Sequence, residues 1–481
     1  MATGHDTLFI GGEWVAPSSP ARIDVLNAST GELTASVPEA SEADADAAVA
    51  AARRAFDDPS GWSSWEPARR ASALERLAAE LEARAQEIGR AVSLQNGMPI
   101  ALSPVIEGMT SVGTLRYMAS LLGSSPVEEE MSRFLGGDLA IRHEPVGVIA
   151  GIVPWNYPQT LSSFKYAPAL AAGNAIVLKP SPEALLDSYL LAEAVIAAGL
   201  PPGVVSIVPG GRDLGAYLVR HPGVDKVAFT GSTAAGRHIG ETCGRLLRPV
   251  SLELGGKSAA IILDDADLDL ARIGQDLFAA TLVNNGQTCY ACTRILAPRS
   301  RYSEVVDTLV ALASSLPVGD ALEPATMIGP LVAERQRDRV ERYIAKGLSD
   351  GARLVTGGGR PPGLDQGWFV EPTIFADVDN ESTIAQEEIF GPVLSVIEYT
   401  DDDQAIAIAN DSDYGLAGSV WTADPDRARQ VARRIRTGTV GINGFQPDPA
   451  GPWGGVKSSG LGRELGPGAI AAYQNLKTFY A

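Results

Sequence analysis

Residues 146–179 read VGVIAGIVPWNYPQTLSSFKYAPALAAGNAIVLK. Two short apolar runs, VGVIAGIV and NAIVLK, bracket a segment, FKYAPALAAG, of helical composition. Apolar runs of this length bounded by turn formers read as buried strands, and two of them joined by a helix make a βαβ unit with parallel pairing. The alternation continues through LLDSYLLAEAVIAAG, VVSIV and KVAF. It predicts an α/β fold built on a doubly wound parallel sheet, whose ligands bind outside the carboxyl ends of the strands. A second alternating series, AAIIL at 259–263, LDLARIGQDLFAATLV running to 283 and TRILA at 293–297, predicts another α/β unit, with a boundary near residue 254.

Upstream, residues 43–57 and 66–93 carry Ala, Leu and paired charges at helical spacing, which predicts surface helices. At 126–143 short stretches flank Gly136 and Gly137, a hairpin-like signal, and AAYQNLKTFYA at the carboxyl end reads as a strand after the Gly466-Pro467-Gly468 turn. No internal repeat and no low-complexity segment is present.

A chain of 481 residues is too long for one hydrophobic core, so two large domains with smaller appendages are expected. With 45% apolar and 20% charged residues the composition is globular, and the net charge of -19 lacks the basic surface that nucleic acid requires. The amino terminus, MATGHDTLFIGGEW, has neither a basic nor an apolar leader region, and no apolar run is long enough to cross a membrane. Three cysteines, Cys243, Cys289 and Cys292, cannot build a disulfide framework and fit a reducing, cytoplasmic compartment. The histidines His5, His143, His221 and His238 are scattered, so no metal site is expected.

Chemistry-bearing residues gather at strand ends. The first strand runs into Pro154-Trp155-Asn156-Tyr157-Pro158, where Asn156 either forms a local turn or supplies an oxyanion donor. Lys179 ends the next strand, as a solvated charge or a nucleotide contact. Phe229-Thr230-Gly231-Ser232 follows KVAF and opens a helix, a turn able to attract pyrophosphate, although it is not the G-x-G-x-x-G fingerprint. Glu253 in LELGGK is either an ion-pair partner of Lys257 or, if buried, a general base of raised pKa. Cys289 in NNGQTCYAC is structural or nucleophilic. With Cys292 it forms a C-x-x-C pair, but the small βαβ context of a thioredoxin-like couple is lacking.

In combination and in order, PWNYP (154–158), LKP (178–180), FTGST (229–233), ELGGK (253–257), GQTC (286–289), EEIFGP (387–392), PWGGVKSSG (452–460) and GRE (462–464) resemble the NAD(P)-dependent aldehyde dehydrogenase superfamily nearly end to end. The resemblance implies three parts: a Rossmann-like cofactor domain (1–125 and 144–253), a catalytic domain (254–452) and an oligomerisation element (126–143 and 466–481) of a homodimer or homotetramer. It implies that Cys289 attacks the aldehyde as thiolate, that the Asn156 amide and the Cys289 backbone N–H hold the oxyanion, and that Glu253 activates the water that hydrolyses the thioester. Lys165 and Glu464 match positions linked to proton removal from the base. Cofactor contacts are implied for Ile152, Val153, Pro154, Trp155, Lys179, Ser181, Pro182, Gly211, Gly215, Phe229, Gly231, Ser232, Leu254, Gly255, Glu388 and Phe390. Tyr157, Leu161, Phe164, Thr288, Tyr290, Phe445 and Trp453 fall where the aldehyde tunnel is lined, a largely apolar set with no evident charged partner. They suit a medium aliphatic or aromatic aldehyde, with an aromatic box for a quaternary ammonium as the minor alternative.

One position departs from the family pattern. Many NAD-preferring members carry a carboxylate three residues after the lysine, and Pro182 stands there, with Glu183 one further on. No arginine is close in sequence to receive a 2′-phosphate, so NAD is expected, with NADP as the alternative. A CoA-acylating dehydrogenase is the rival enzymatic reading, disfavoured by the carboxylate at Glu253, and a non-catalytic relative that kept the fold is the rival from another class.

Overall fold

The computed structural model describes residues 6–123 and 126–480; the first five residues, 124–125 and 481, and with them His5, lie outside the described residues. The opening stretch forms the centre of an eight-stranded sheet. Val148–Ile152 pairs in parallel with Ala175–Lys179 on one side and Lys226–Thr230 on the other, and Val205–Ile207 and Val250–Glu253 extend the parallel set. Antiparallel strands close both edges: Leu8–Ile10 with Glu13–Val15 at one, and the short Gly460–Leu461 beside Val250–Glu253 at the other. The apolar, β-branched composition of the central strands reflects burial on both faces.

The crossover helix Pro158–Ala172 is buried at every position, which accounts for its lack of a polar stripe. Pro158 opens it where a missing N–H has no cost, and Gly173, at φ +97, ends it in the left-handed conformation. Residues 43–57 lie in the helix Glu42–Asp57, capped by Ser41 and Asp44 in a reciprocal box. The stretch 66–93, read as one helical segment, is two helices, Pro67–Ala83 and Ala85–Asn96, broken at Arg84.

A second sheet of seven strands holds six in parallel: Thr373–Ala376, Val393–Tyr399, Arg294–Pro298, Ala259–Ile262, Gly418–Trp421 and Gly441–Ile442. Arg353–Thr356 adds antiparallel at its edge. The hairpin Glu128–Ser132 and Asp138–Pro145 pairs with the carboxyl-terminal strand Gln474–Tyr480 in a separate three-stranded sheet. No described helix is long and apolar enough to cross a membrane.

Candidate active site

The loop carrying Cys289 follows the helix Leu270–Thr281, and Asn284 and Asn285 both adopt left-handed backbone, at φ 53 and 59. Asparagine tolerates this conformation better than most residues, and here its amides anchor the turn. Asn285 Nδ2 donates to the carbonyls of Gly97 and Pro330, each at 2.8 Å, and its Oδ1 accepts Gly329 N–H at 2.7 Å. Gln287 Oε1 accepts Val332 N–H at 2.9 Å. A Cβ on Gly286 would stand 2.2 Å from the Gly391 carbonyl oxygen, so only glycine lets the loop approach so closely. The thiol of Cys289 is thereby fixed where two cavities meet, and it lines both.

Asn156 sits beside it, buried, on the loop after Val148–Ile152. Asn96 and Asn284 donate to its carbonyl at 3.0 and 2.9 Å, while its own Nδ2 donates to Gln287 O at 3.0 Å. An amide nitrogen carries two hydrogens, so one N–H remains for a developing oxyanion.

Glu253 ends the strand Val250–Glu253, and its two carboxylate oxygens are buried with no protein partner. No ion pair with Lys257 forms; the Lys257 ammonium is itself buried without a hydrogen bond. Burial, reinforced by the charge of Glu464, raises the Glu253 carboxyl well above the ordinary range, against the pull of Lys165 and Arg463. Lys165 Nζ donates to Glu464 Oε1 at 2.8 Å and to Thr230 Oγ1 at 2.6 Å. Glu464 is held by a two-way backbone bridge to Trp453, at 2.6 and 2.8 Å. Cys289 has its own thiol pushed up by burial and by the charges of Glu388 and Glu253, while the backbone N–H groups of Cys289 and Tyr290 pull it down.

On the sheet side of Cys289, two adjoining cavities of about 790 and 370 Å³ share Pro154, Trp155, Gly231, Ser232 and Arg335. The larger is lined by Ile152, Val153, Lys179, Ser181, Pro182, Gly211, Gly215 and Phe229, and the smaller by Leu254, Gly255, Glu388 and Phe390, so every expected cofactor contact falls on this elongated space. Ser232 caps the helix Thr233–Arg245 through its side chain, leaving that helix end facing the cavity. Glu388 Oε1 accepts Gly256 N–H at 2.9 Å, and a Cβ on Gly255 would fall 2.7 Å from its other oxygen. Trp155 meets the Phe390 ring edge-on at 5.3 Å. Phe390 adopts φ +64, unusual for a bulky residue, and Gln336 and Arg339 hold its loop through the carbonyls of Phe390 and Glu388, at 2.7 and 2.5 Å.

On the opposite side a cavity of about 280 Å³ is lined by Tyr157, Leu161, Phe164, Tyr290, Phe445 and Trp453, together with Val105, Ile106, Thr110 and Leu465. Thr288 does not line it: its hydroxyl lies 2.6 Å from Tyr157 Oη and donates to Val283 O at 3.0 Å, so it orients a lining ring from behind. Tyr290 stacks on Phe445 at 4.9 Å, and Trp453 stands edge-on to both.

Residues 14–479 match the profile of the aldehyde dehydrogenase family. The chain belongs to that family. It is 56% identical over 480 residues, all of this chain and 99% of the relative, to the geranial dehydrogenase of Castellaniella defragrans. Among solved structures it is similar to the Mycobacterium tuberculosis aldehyde dehydrogenase complexed with NAD+, at a TM-score of 0.97 and 48% identity, with 100% and 99% of the two chains covered. It is also similar to aldehyde dehydrogenase C of Pseudomonas syringae, a cysteine-to-alanine mutant with NAD+ and octanal, at 0.94 and 40%, with 99% and 96% covered.

Within this aldehyde dehydrogenase, Cys292 is fully buried on Ser419 Oγ at 3.5 Å and lines neither cavity, which separates it from the chemistry of Cys289. No group of three or more potential metal ligands occurs among the described residues. The sequence reading quoted Thr230 within its turn without giving it a contact of its own, and missed Gln336 and Arg339 around the cofactor cavities and the exposed Asp276 and Asp448 on the lining of the apolar one. Nor did it bring an arginine near Pro182, whereas Arg212 and Arg335 line the same cavity. Arg335 and Arg339 belong to a helix more than one hundred and fifty residues downstream, and only the packing of the two sheets delivers them.

Proposed function

We propose that this aldehyde dehydrogenase oxidises medium-chain, apolar aldehydes to carboxylic acids with NAD+, through a thioester on Cys289. The observation that carries the reading is the position of Cys289, the one expected catalytic side chain that lines both the apolar cavity and the dinucleotide-sized one.

The steps follow from the groups present. The aldehyde carbon comes to Cys289 through the apolar cavity; the thiol gives up its proton to water and the sulfur forms a bond to the carbonyl carbon. The oxyanion so produced is received by the free Asn156 N–H and the Cys289 backbone N–H; one such donor contributes about 10²–10³ in rate. Lys179, Ser232 and Glu388, around the long cavity, would hold NAD+, which would supply the hydride acceptor when bound. Glu253 then takes a proton from water attacking the thioester, and the carbon–sulfur bond breaks to release the acid. A carboxyl raised by burial is a stronger base than an exposed one. Glu464 and Lys165, paired at 2.8 Å behind it, provide the route by which its proton departs.

Substrate class rests on the wall of the cavity, at the small end of ligand sites, and on the likeness to a geranial dehydrogenase and to a structure holding octanal. The rings of Tyr290, Phe445 and Trp453 pack on one another rather than opening around a cation. NADH formation with geranial, octanal, benzaldehyde and a quaternary-ammonium aldehyde tests this. Geranial and octanal are expected to give the highest kcat/KM, and preference for the cationic aldehyde would overturn the assignment. Added CoA is expected to leave the rate unchanged, because Glu253 equips the site for water.

We assign residues 1–125 and 144–253 to a cofactor domain and 254–452 to a catalytic domain. Residues 126–143 and 466–481 form an oligomerisation element of a homodimer or homotetramer. We assign the enzyme to the cytoplasm, a reading supported by its three free cysteines.

A further inference from the structure

We infer that Tyr473 and Lys226 carry the Glu253 proton onward from Glu464 to the edge of the eight-stranded sheet; the assignment rests on the thioester hydrolysis proposed above. Glu464 and Lys165 are both fully buried, so a proton that reaches this pair is still inside the protein.

Unpartnered polar atoms collect around the pair. Glu464 Oε2, both carboxylate oxygens of Glu253 and Tyr473 Oη are buried with no hydrogen-bond partner among the described residues. Most buried polar atoms in folded proteins are paired, so a group of four that are not calls for a functional account. Three are acceptors, and Tyr473 supplies the one donor, whose oxygen can also accept. After burial, the charges of Glu464 and then Glu253 act most strongly on the phenol and hold it well above its ordinary range. Tyr473 is also held in place, because its carbonyl accepts Val146 N–H at 3.2 Å and Asn174 Nδ2 at 3.0 Å.

Lys226 Nζ lies 5.2 Å from the Tyr473 ring. Side chains two apart on a strand share a face, and Thr230 pairs with Glu253 and Ala228 with Ser251, so Lys226, Thr230, Ser251 and Glu253 all point to one side of the sheet. Ala228 packs there in the same core as the helix Pro158–Ala172 and Tyr473. Burial lowers the Lys226 ammonium to about 8, against the opposing charge of Glu464, so it releases a proton readily near neutral pH. Its Nζ donates to Ser251 Oγ at 2.9 Å. A Cβ on the exposed Gly462 would stand 3.5 Å from that hydroxyl, so the row ends at solvent.

In transit Tyr473 Oη takes up the proton leaving the Glu464 carboxyl and gives its own toward the Lys226 amine, so the phenol is unchanged overall. No direct hydrogen bond joins Tyr473 Oη to either neighbour, and each transfer runs through a bridging water. Lys226 then passes one proton to solvent at the Ser251 end. Thr230 is the competing outlet, since it accepts from Lys165 at 2.6 Å and lines the cofactor cavities. A dinucleotide in that space would close it during turnover.

Rapid mixing of enzyme, NAD+ and octanal with a pH indicator, following NADH and protons together, tests this. Oxidation of an aldehyde by NAD+ and water releases two protons per NADH, the second at thioester hydrolysis. Tyr473→Phe should leave the rate of the NADH burst unchanged, slow the second proton severalfold and enlarge the solvent deuterium isotope effect on that phase. Lys226→Gln should do the same. Removing a hydroxyl that bonds to nothing in the protein costs little stability, so Tyr473→Phe should melt close to wild type. A second proton at the wild-type rate in either variant overturns the assignment and leaves Thr230 as the outlet. A slowed burst in Tyr473→Phe overturns it as well, by placing the phenol before hydride transfer. A wild type that forms no NADH from octanal would instead overturn the thioester reading, and the assignment with it.

Discussion

Cys289 lies in surroundings that oppose its ionisation. Burial comes first, followed by the charges of Glu388 and Glu253, and together they raise the thiol above its ordinary value of 9.0. In the cofactor-free enzyme it should therefore react slowly with iodoacetamide at neutral pH, with a rate still rising above pH 9; a plateau near pH 7 would show that other groups stabilise the thiolate. In the proposed mechanism Glu253 acts after hydride transfer, so Glu253→Gln is expected to give a stoichiometric NADH burst and then slow turnover in rapid-mixing experiments. Absence of the burst would move Glu253 to the first proton transfer. Gly454 borders this carboxylate: at φ +143, with a Cβ position 2.7 Å from Glu253 Oε1, it has no room for a methyl group. Gly454→Ala should lower kcat by more than tenfold with little change in KM for NAD+, and unchanged kcat would show that the loop yields. At this scale the sequence displayed the side chains to which the proposed mechanism gives the chemistry, because Cys, Glu and Asn stand in short recognisable strings. Gly454 and Thr230 stood in those same strings without their roles being legible, since each depends on an atom some two hundred or sixty-five residues away.

The helix Pro158–Ala172 carries Leu161 and Phe164 to the apolar cavity and Lys165 to Glu464, so its placement sets the site. Its amino end is fixed by Glu107, whose Oε2 accepts the N–H groups of Gln159 and Thr160 at 2.8 and 3.3 Å. Glu107 comes from the wide-turned segment Pro104–Met109, which also carries Val105 and Ile106 to the cavity wall. Helix breaks of this kind recur at functional sites. Burial pushes the Glu107 carboxyl up to about 8, from an ordinary 4.5. The folded protein thus keeps a proton that the unfolded chain releases, and the stability this group contributes falls as pH rises from about 4.5 through 8. Glu107→Gln removes that dependence, so its melting temperature relative to wild type should climb by several degrees between pH 5 and pH 8. A constant difference across that range would mean that Glu107 does not titrate in it. Apolar runs in the sequence marked the strands Val148–Ile152, Ala175–Lys179, Val205–Ile207 and Lys226–Thr230 of the first sheet but only Ala259–Ile262 and Arg294–Pro298 of the second, whose other strands, Arg353–Thr356, Thr373–Ala376, Val393–Tyr399, Gly418–Trp421 and Gly441–Ile442, were not read. The sequence reading did not find Pro104–Met109, because an insertion that widens one turn leaves no mark in apolar spacing, nor the break at Arg84, where the helical pattern runs on in register.

At the scale of the molecule, the three-stranded sheet lacks a covering layer. Glu128–Ser132 is exposed along its whole length, and Gln474–Tyr480 is exposed at all but its first residue. Leu476, Phe479, Tyr480, Met131, Phe134 and Leu135 are all exposed there, more apolar surface than a small free sheet tolerates. A second copy of this chain is the occupant that the family resemblance implies. The strand is also tied to the catalytic core at its foot. The Tyr473 carbonyl accepts Val146 N–H at 3.2 Å and Asn174 Nδ2 at 3.0 Å, and its ring lies 5.2 Å from Lys226 Nζ. Lys226 in turn belongs to the strand that carries Thr230, the partner of Lys165. Loosening the sheet should therefore reach the groups behind Glu253. Leu476→Asp combined with Phe479→Asp places two charges on this surface without touching either cavity. Light scattering coupled to gel filtration should report a smaller species than wild type, and kcat should fall severalfold while KM for the aldehyde changes little, because the apolar cavity is built elsewhere. An unchanged mass would remove this sheet from the assembly, and a smaller species with full kcat would sever the link between the tail strand and the general base.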